Sequence, residues 1–230
     1  MKISVIVPAY NEEECIDRTI KTVRERAGLS VNEVIVVDGG SSDNTEAIAQ
    51  QTSATVFVSP QKGRAAQMNY GARQATADIL YFLHADSVPP QDFDQKIINT
   101  VTQKAPAGCF RLAFDHNHWL LQSYAWFTKF DIDAFRFGDQ SLFIKREHFF
   151  SIDGFREDHL LMEDNEIVRR IKESYAFSII DDTVTTSARS YQKVGVIKLQ
   201  LLFVVIYLLY FLGVKQEYLL MLKEKALREG

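Results

Sequence analysis

The first part of the chain switches repeatedly between two hydrophobic periods. Lys2–Pro8 is an apolar, β-branched run of the kind found in a strand buried on both faces. Asn11-Glu12-Glu13-Glu14 then opens a predicted helix, with its acids set against the positive end of the helix dipole. Ile16, Ile20, Val23 and Ala27 share one face of that helix, and Gly28 ends it. Val34–Val37 is a second strand, followed by the turn Asp38–Asp43 and a helix capped by Asp43 or Ser42. Thr55–Val58 is a third strand and Gly63–Ala75 a third helix. Ile79–Ser87 reads as a short buried strand that stops at His84-Ala85-Asp86, ahead of the breakers Pro89 and Pro90. Strands alternating with helices in this way predict an α/β fold with a mostly parallel central sheet and helices on both faces.

After Pro90 the pattern loosens. Phe93–Gln103 reads as a helix, Gly108–Phe114 and Ser141–Ile144 as strands, and Glu163–Ser174 as a helix. Trp119–Phe137 is rich in aromatics, which fill cores and also floor sugar or lipid sites. Ala176–Ile180 and Thr183–Arg189 are expected as two extended segments, and helices over Val196–Leu212 and Lys215–Arg228 finish the chain. No linker-like break divides it, so the second half is expected to pack on the first, with residues 196–230 as a helical extension. Leu201–Val214 is almost wholly apolar, yet its 14 residues fall short of the ~18–20 that span a bilayer. The extension is therefore expected to lie on the domain, on a second subunit in a homodimer, or peripherally on a membrane.

Composition narrows the class. With 230 residues, 47% of them hydrophobic and 24% charged, the chain has the make-up of one well-buried domain. A net charge of −4 argues against a nucleic-acid partner, which calls for a basic face. Two cysteines, Cys15 and Cys109, give neither a disulfide framework nor a cysteine zinc site, and read as small core hydrophobes in a reducing compartment. Met1–Val5 enters a strand at once, leaving no room for a signal peptide. A cytoplasmic location is expected, with the tail at the inner face of the membrane as the alternative to full solubility.

Five clusters then stand out. Val7-Pro8-Ala9-Tyr10-Asn11-Glu12 follows the first strand without the glycines of a dinucleotide fingerprint. The second strand nonetheless ends in Asp38, where an acid can hold a ribose hydroxyl or simply cap the turn. Lys62 and Arg64 place two cations at a helix start, an arrangement suited to phosphate oxygens as well as to solvent. Asp86 offers a hard oxygen to a metal that also binds a diphosphate, and His84 is a second donor better suited to Mn²⁺ than to Mg²⁺. Glu163-Asp164-Asn165-Glu166 puts three acids into one helix start, more than a dipole requires, so that one of them facing a cleft could act as a general base.

These clusters come in one order. Val5-Ile6-Val7-Pro8-Ala9-Tyr10-Asn11-Glu12, Val36 to Thr45, Lys62-Gly63-Arg64 with Asn69 and Gly71, His84-Ala85-Asp86 and Glu163-Asp164 together resemble the family 2 glycosyltransferases of the GT-A fold, over roughly Lys2 to Arg170. The His-Ala-Asp variant and the apolar tail resemble a small bacterial subgroup. Members usually carry Asp-x-Asp where this chain has His84-Ala85-Asp86, so one carboxylate of the metal motif is missing.

The resemblance implies an inverting, metal-dependent transfer of a sugar from a nucleotide-diphosphate donor to an acceptor hydroxyl, lipid-linked or glycan. Pro8, Tyr10 and Glu12 would line the nucleotide pocket, Asp38 would hold base or ribose, and Lys62 and Arg64 would sit near the base and diphosphate. Asp86, with His84, would ligate Mn²⁺ or Mg²⁺, and Asp164, beside Glu163, would be the general base. Arg189 would close over the diphosphate from a mobile loop, and Gly138-Asp139-Gln140 would meet the acceptor. Two other classes compete: a non-catalytic nucleotide-sugar-binding protein on the same fold, and a nucleotidyltransferase. The latter wants a glycine-rich basic loop after the first strand, which Pro8-Ala9-Tyr10-Asn11 is not.

Overall fold

A computed structural model of the chain describes residues 1–132 and 141–228. Its strands, in chain order, are β1 (Ile3–Ala9), β2 (Val31–Asp38), β3 (Thr55–Val58), β4 (Ile79–Phe82), β5 (Ser87–Val88), β6 (Ala107–Phe114), β7 (Leu142–Lys145) and β8 (Phe177–Thr186). They form one sheet in the spatial order β3-β2-β1-β4-β7-β6-β8-β5. The helices are α1 (Ile16–Arg26), α2 (Thr45–Gln50), α3 (Arg64–Gln74), α4 (Phe93–Gln103), α5 (Trp119–Phe127), α6 (Arg146–Ser151), α7 (Glu163–Ser174), α8 (Arg189–Val194), α9 (Val196–Phe211) and α10 (Gln216–Arg228).

β1 pairs in parallel with both β2 and β4, and β2 in parallel with β3, while β7 inserts antiparallel between β4 and β6. The β1–β2 register sets Ala9 opposite Asp38, and the β1–β4 register sets Ile6 opposite Phe82. The carboxyl ends of three adjacent strands therefore reach one edge together. Successive residues of a strand face opposite sides, and two cores follow. Val5, Val7 and Tyr81 pack beneath α1 and α4 with Ile16, Ile20, Phe93 and Ile97. Ile6, Leu80 and Phe82 pack on the other face with Met68, Phe149 and Ile167.

Three sequence expectations change. The acids Glu12, Glu13 and Glu14 precede α1, which begins only at Ile16. Asn11 adopts a left-handed φ of 55°, and its side-chain oxygen accepts from the Ser42 N–H at 2.9 Å. The Glu13 carboxylate accepts from the Asn44 N–H, so these residues tie the β1 loop to the β2–α2 loop instead of balancing a dipole.

The two extended segments expected over residues 176–189 form a single strand, β8, ending at Thr186. Asp181 and Asp182 look like a turn in sequence, but they fall where the β6–β8 register shifts between Phe110 and Arg111. They pair with Arg111 and Lys96 respectively. Within the described part of the aromatic stretch, Tyr124 is buried whereas Trp119 is 68% and Trp126 48% exposed, so it is not simply core; Phe135 and Phe137 lie outside the described residues.

The extension packs back on the rest of the chain. The Leu161 N–H donates to Gln216 Oε1 at 3.0 Å, and Tyr191 Oη donates to Gln200 Oε1 at 3.2 Å. Much of α9 still faces outward, with Ile197, Leu201, Val204, Leu208 and Phe211 exposed. Among the described residues no helix is long and apolar enough to cross a membrane.

Close strand packing at Gly108 gives a direct check of this register. A Cβ there would lie 2.0 Å from the Ser178 carbonyl oxygen and 2.5 Å from Phe143 Cζ. Gly108→Ala is expected to destabilise the fold by about 2 kcal/mol or more, the scale of overpacking, which lowers Tm by roughly 4–8 °C for a chain of this size. A melting curve superimposable on wild type would contradict the β6–β8 pairing.

Candidate active site

One cavity of about 370 Å³ opens at the carboxyl edge of β1 and β4. Pro8, Tyr10 and Glu12 reach it from the end of β1, and His84 and Asp86 from the end of β4. Arg64 enters from the start of α3, Glu163 and Asp164 from the start of α7, and Arg189 from the start of α8. Residues more than 170 positions apart in sequence thus share one chamber.

Local chemistry explains each placement. The Thr19 hydroxyl of α1 donates to the Ala85 carbonyl at 2.6 Å, holding the His84-Ala85-Asp86 corner. The Ser87 N–H closes the same corner onto the His84 carbonyl. Gln67, with its side chain buried at the cavity wall, donates through Nε2 to the carbonyls of Ala9 at 2.7 Å and Val37 at 2.8 Å, clipping two strand ends together. Met162 takes a left-handed φ of 66° immediately before Glu163, the kind of uncommon conformation that concentrates at functional sites. The Ala188 N–H donates to Asp115 Oδ1 at 2.7 Å, which fixes the residue before Arg189.

The charges pair across elements. Arg64 Nη1 lies 3.3 Å from Glu163 Oε1 and 3.8 Å from Asp164 Oδ2. Arg189 donates to the Glu12 carboxylate and stands 3.7 Å from Asp86 Oδ2. Burial pushes the Glu12 carboxyl above its ordinary value of 4.5, outweighing the opposing pull of Arg189. Arg189 begins a short helix and is engaged on its cavity side, not carried on a loop as expected.

The third acid of α7 has a different task. Glu166 accepts from Arg170 Nε at 2.7 Å and Nη2 at 2.6 Å, and Arg170 also donates to the carbonyls of Ile152 and Gly154. Asn69 likewise works structurally: it donates to the Phe155 carbonyl and accepts from the Phe155 N–H, at 2.8 and 2.9 Å. Gly71 lets α3 close on β1, since a Cβ would lie 2.6 Å from Ile6 Cγ2.

Asp38 and Lys62 do not line the cavity. The Asp38 carboxylate is buried and accepts from the N–H groups of Gly40 and Ser41, both at 2.9 Å, and from the Ser41 hydroxyl. Lys62 is exposed. Gly138, Asp139 and Gln140 lie outside the described residues. Lining residues that sequence reasoning missed include Gln67, Phe114, Tyr124, Tyr191 and Phe203; only the aromatic richness around Tyr124 hinted at any of them.

For a divalent ion the donor set is small. Among the described residues no cluster of three or more His, Cys, Asp or Glu could hold a metal. A carboxylate from Asp86 beside an imidazole from His84, facing an open chamber, fits an ion whose remaining positions are taken by phosphate oxygens and water.

An α/β sheet with a charged chamber at its carboxyl edge is the general architecture of a ligand-binding α/β enzyme. A family model described as glycosyl transferase family 2 matches residues 4–156, and the chain belongs to that family. The glycosyltransferase AglE of Haloferax volcanii is 36% identical over 107 residues, covering 44% of this chain and 35% of that protein. Glucosyl-3-phosphoglycerate synthase of Mycolicibacterium smegmatis is 34% identical over 96 residues, or 38% of this chain and 32% of that one. The matched stretch therefore spans about a third of the length of these curated relatives.

Among solved structures, S. aureus TarS in complex with UDP superposes with a TM-score of 0.69 at 18% identity, over 81% of this chain and 60% of TarS. The mannosyltransferase PcManGT from Pyrobaculum calidifontis, in complex with GDP-Man and Mn²⁺, gives 0.64 at 19% identity, over 80% and 56%. The fold is of the GT-A type.

The Glu12–Arg189 pair has a pH signature. In Arg189→Ala the cation that lowers the Glu12 carboxyl is gone, so its midpoint, followed by carbon NMR of the labelled carboxyl, is expected to move further up. An acid whose folded-state value is raised favours the fold at pH below its unfolded value, and that contribution is lost as pH rises through the folded value. The stability cost of ionised Glu12 should therefore be larger in the variant. A midpoint equal to or below wild type would show that Arg189 does not act on Glu12.

Proposed function

We propose that this chain transfers a sugar, with inversion, from a nucleotide-diphosphate sugar to an acceptor hydroxyl. One observation carries the proposal: Asp164 and Arg64 stand 3.8 Å apart in the same cavity that receives Asp86 and Arg189. A base for the acceptor and cations for a departing diphosphate are the two requirements of such a displacement, and both converge here.

In the proposed step Asp164 Oδ2 takes the proton of the acceptor hydroxyl as its oxygen attacks the anomeric carbon. The new C–O bond forms as the bond to the diphosphate oxygen breaks, and the nucleoside diphosphate leaves with that electron pair. Glu163 holds Arg64 beside Asp164, which leaves the guanidinium positioned for the negative charge that develops. Arg189, seated between Glu12 and Asp86, exchanges those partners for diphosphate oxygens when the donor enters. Tyr10, 56% exposed at the rim, offers a face for the base. Asp38 and Lys62 stand outside the cavity lining, and Asp38 holds the Gly40–Ser41 turn at the end of β2.

Asp86 and His84 would hold Mn²⁺ or Mg²⁺, which when bound supplies charge neutralisation at the diphosphate. Relatives in fold have been solved with Mn²⁺ and with UDP or GDP-Man, which supports both assignments.

Asp164→Asn tests the role of the base. Release of nucleoside diphosphate from uridine- and guanosine-diphosphate sugars is expected to fall by about 10²–10⁴-fold, the usual scale of general-base loss, with donor affinity retained. Turnover within twofold of wild type would remove Asp164 from the reaction. Donor binding by wild type without turnover on any acceptor would favour a non-catalytic nucleotide-sugar-binding protein.

A further inference from the structure

The chamber is lined by two chemically different sets of side chains. Its charged groups all come from the ends of β1 and β4 and the starts of α3, α7 and α8, with one exception. The tail helices α9 and α10 contribute Leu199, Phe203, Ile206 and Leu227, and a single polar side chain, Lys223. Leu112, Phe114 and Tyr124 line the same cavity from β6 and α5. The aromatic rings are in sequence: Tyr124 to Phe114 at 6.3 Å between centroids, Phe114 to Tyr191 at 5.5 Å, and Tyr191 to Phe203 at 6.1 Å. Gln216 at the start of α10 receives the Leu161 N–H, two residues before Glu163, so this apolar wall is braced against the segment that carries the acids.

A wall of this kind bears on the acceptor. A polyhydroxylated acceptor needs a hydrogen-bond partner for each hydroxyl that it buries, because a buried hydroxyl left unpaired loses its water without replacement. The tail offers one cation and otherwise only carbon. An apolar body gains from the same surface in proportion to the area it covers. We infer that the acceptor is an amphiphile, a lipid alcohol whose single reacting hydroxyl is carried on an extended apolar body lodged between β6, α5 and α9. This inference rests on the sugar-transfer assignment above and names its second substrate. The alcohol O–H loses its proton to Asp164, its oxygen bonds to the anomeric carbon, and the nucleoside diphosphate departs with the electron pair of the broken bond.

The test uses the full chain with Mn²⁺ and a panel of UDP-glucose, UDP-GlcNAc and GDP-mannose, reading nucleoside diphosphate release. Farnesol is the apolar probe, with galactose and glycerol as hydrophilic ones. Farnesol is expected to raise release at least tenfold above hydrolysis with one donor, and the polyols are not. Phe203→Ser should raise the farnesol concentration for half-maximal release at least tenfold, while Phe203→Leu, which keeps the apolar surface, should stay close to wild type. Should galactose or glycerol accelerate a donor that farnesol does not, the acceptor assignment falls and sugar transfer stands. Should no donor be consumed, by any acceptor or by water, the sugar-transfer assignment falls and this inference with it. An unaltered farnesol response in Phe203→Ser, with its melting curve intact, would also overturn the apolar wall as the acceptor site.

Discussion

The parallel pairing of β1 with both β2 and β4 is the constraint on which the rest of the molecule depends. Because Ala9 lies opposite Asp38, and Leu83 N–H bonds to the Ile6 carbonyl just beyond the β1–β4 ladder, three strands run out at one edge. Backbone groups at such an edge need new partners. Gln67 supplies two of them, and Thr19 takes the Ala85 carbonyl. The polar loops that follow each strand are thereby held facing one space. A register slip of one residue would turn Val5, Val7 and Tyr81 out of one core and into the other, and would dismantle the chamber along with the packing.

Within that space charge is arranged as two arginines, each held by two carboxylates. Arg64 is held by Glu163 and Asp164, and Arg189 by Glu12 and Asp86. Each guanidinium is paired with carboxylates from other elements, so both cations are oriented in advance. In the proposed reaction an incoming diphosphate would compete with carboxylates for guanidinium groups already in place. The raised Glu12 carboxyl reflects the same economy of solvent, with burial exceeding the attraction of Arg189. The proposed chemistry thus draws on positions fixed by β1, β4, α3, α7 and α8 together.

Much of the first half was legible because its signals are local. The alternation of strand and helix up to Pro90 follows from periodicity and breakers, and β1, β3 and α4 fall close to where the pattern puts them. Long-range commitments were not legible. Nothing in the order Asp38-Gly39-Gly40-Ser41 says that the carboxylate will be used up by its own turn. Asp181-Asp182 has turn composition, and only the partners Arg111 and Lys96 from other elements keep it within a strand. The aromatic segment shows its hydrophobicity but not which rings are covered, so Trp119 and Tyr124, five residues apart, meet opposite fates. The contribution of α9 and α10 to the chamber was invisible for the same reason, since it arises from packing between segments remote in sequence.

The central proposal is that the chamber at these strand ends is a nucleoside-diphosphate site completed by a divalent ion at Asp86. Thermal unfolding in the presence of UDP or GDP, with and without Mn²⁺, tests it most directly. A ligand at 100 times its Kd adds about 2.7 kcal/mol, which corresponds to roughly 5–10 °C in Tm for a chain of this length. One of the two nucleotides is expected to give a shift of that size with Mn²⁺, and a smaller one both without the ion and in Asp86→Ala. A melting temperature indifferent to both nucleotides and to Mn²⁺ would contradict the assignment of the chamber.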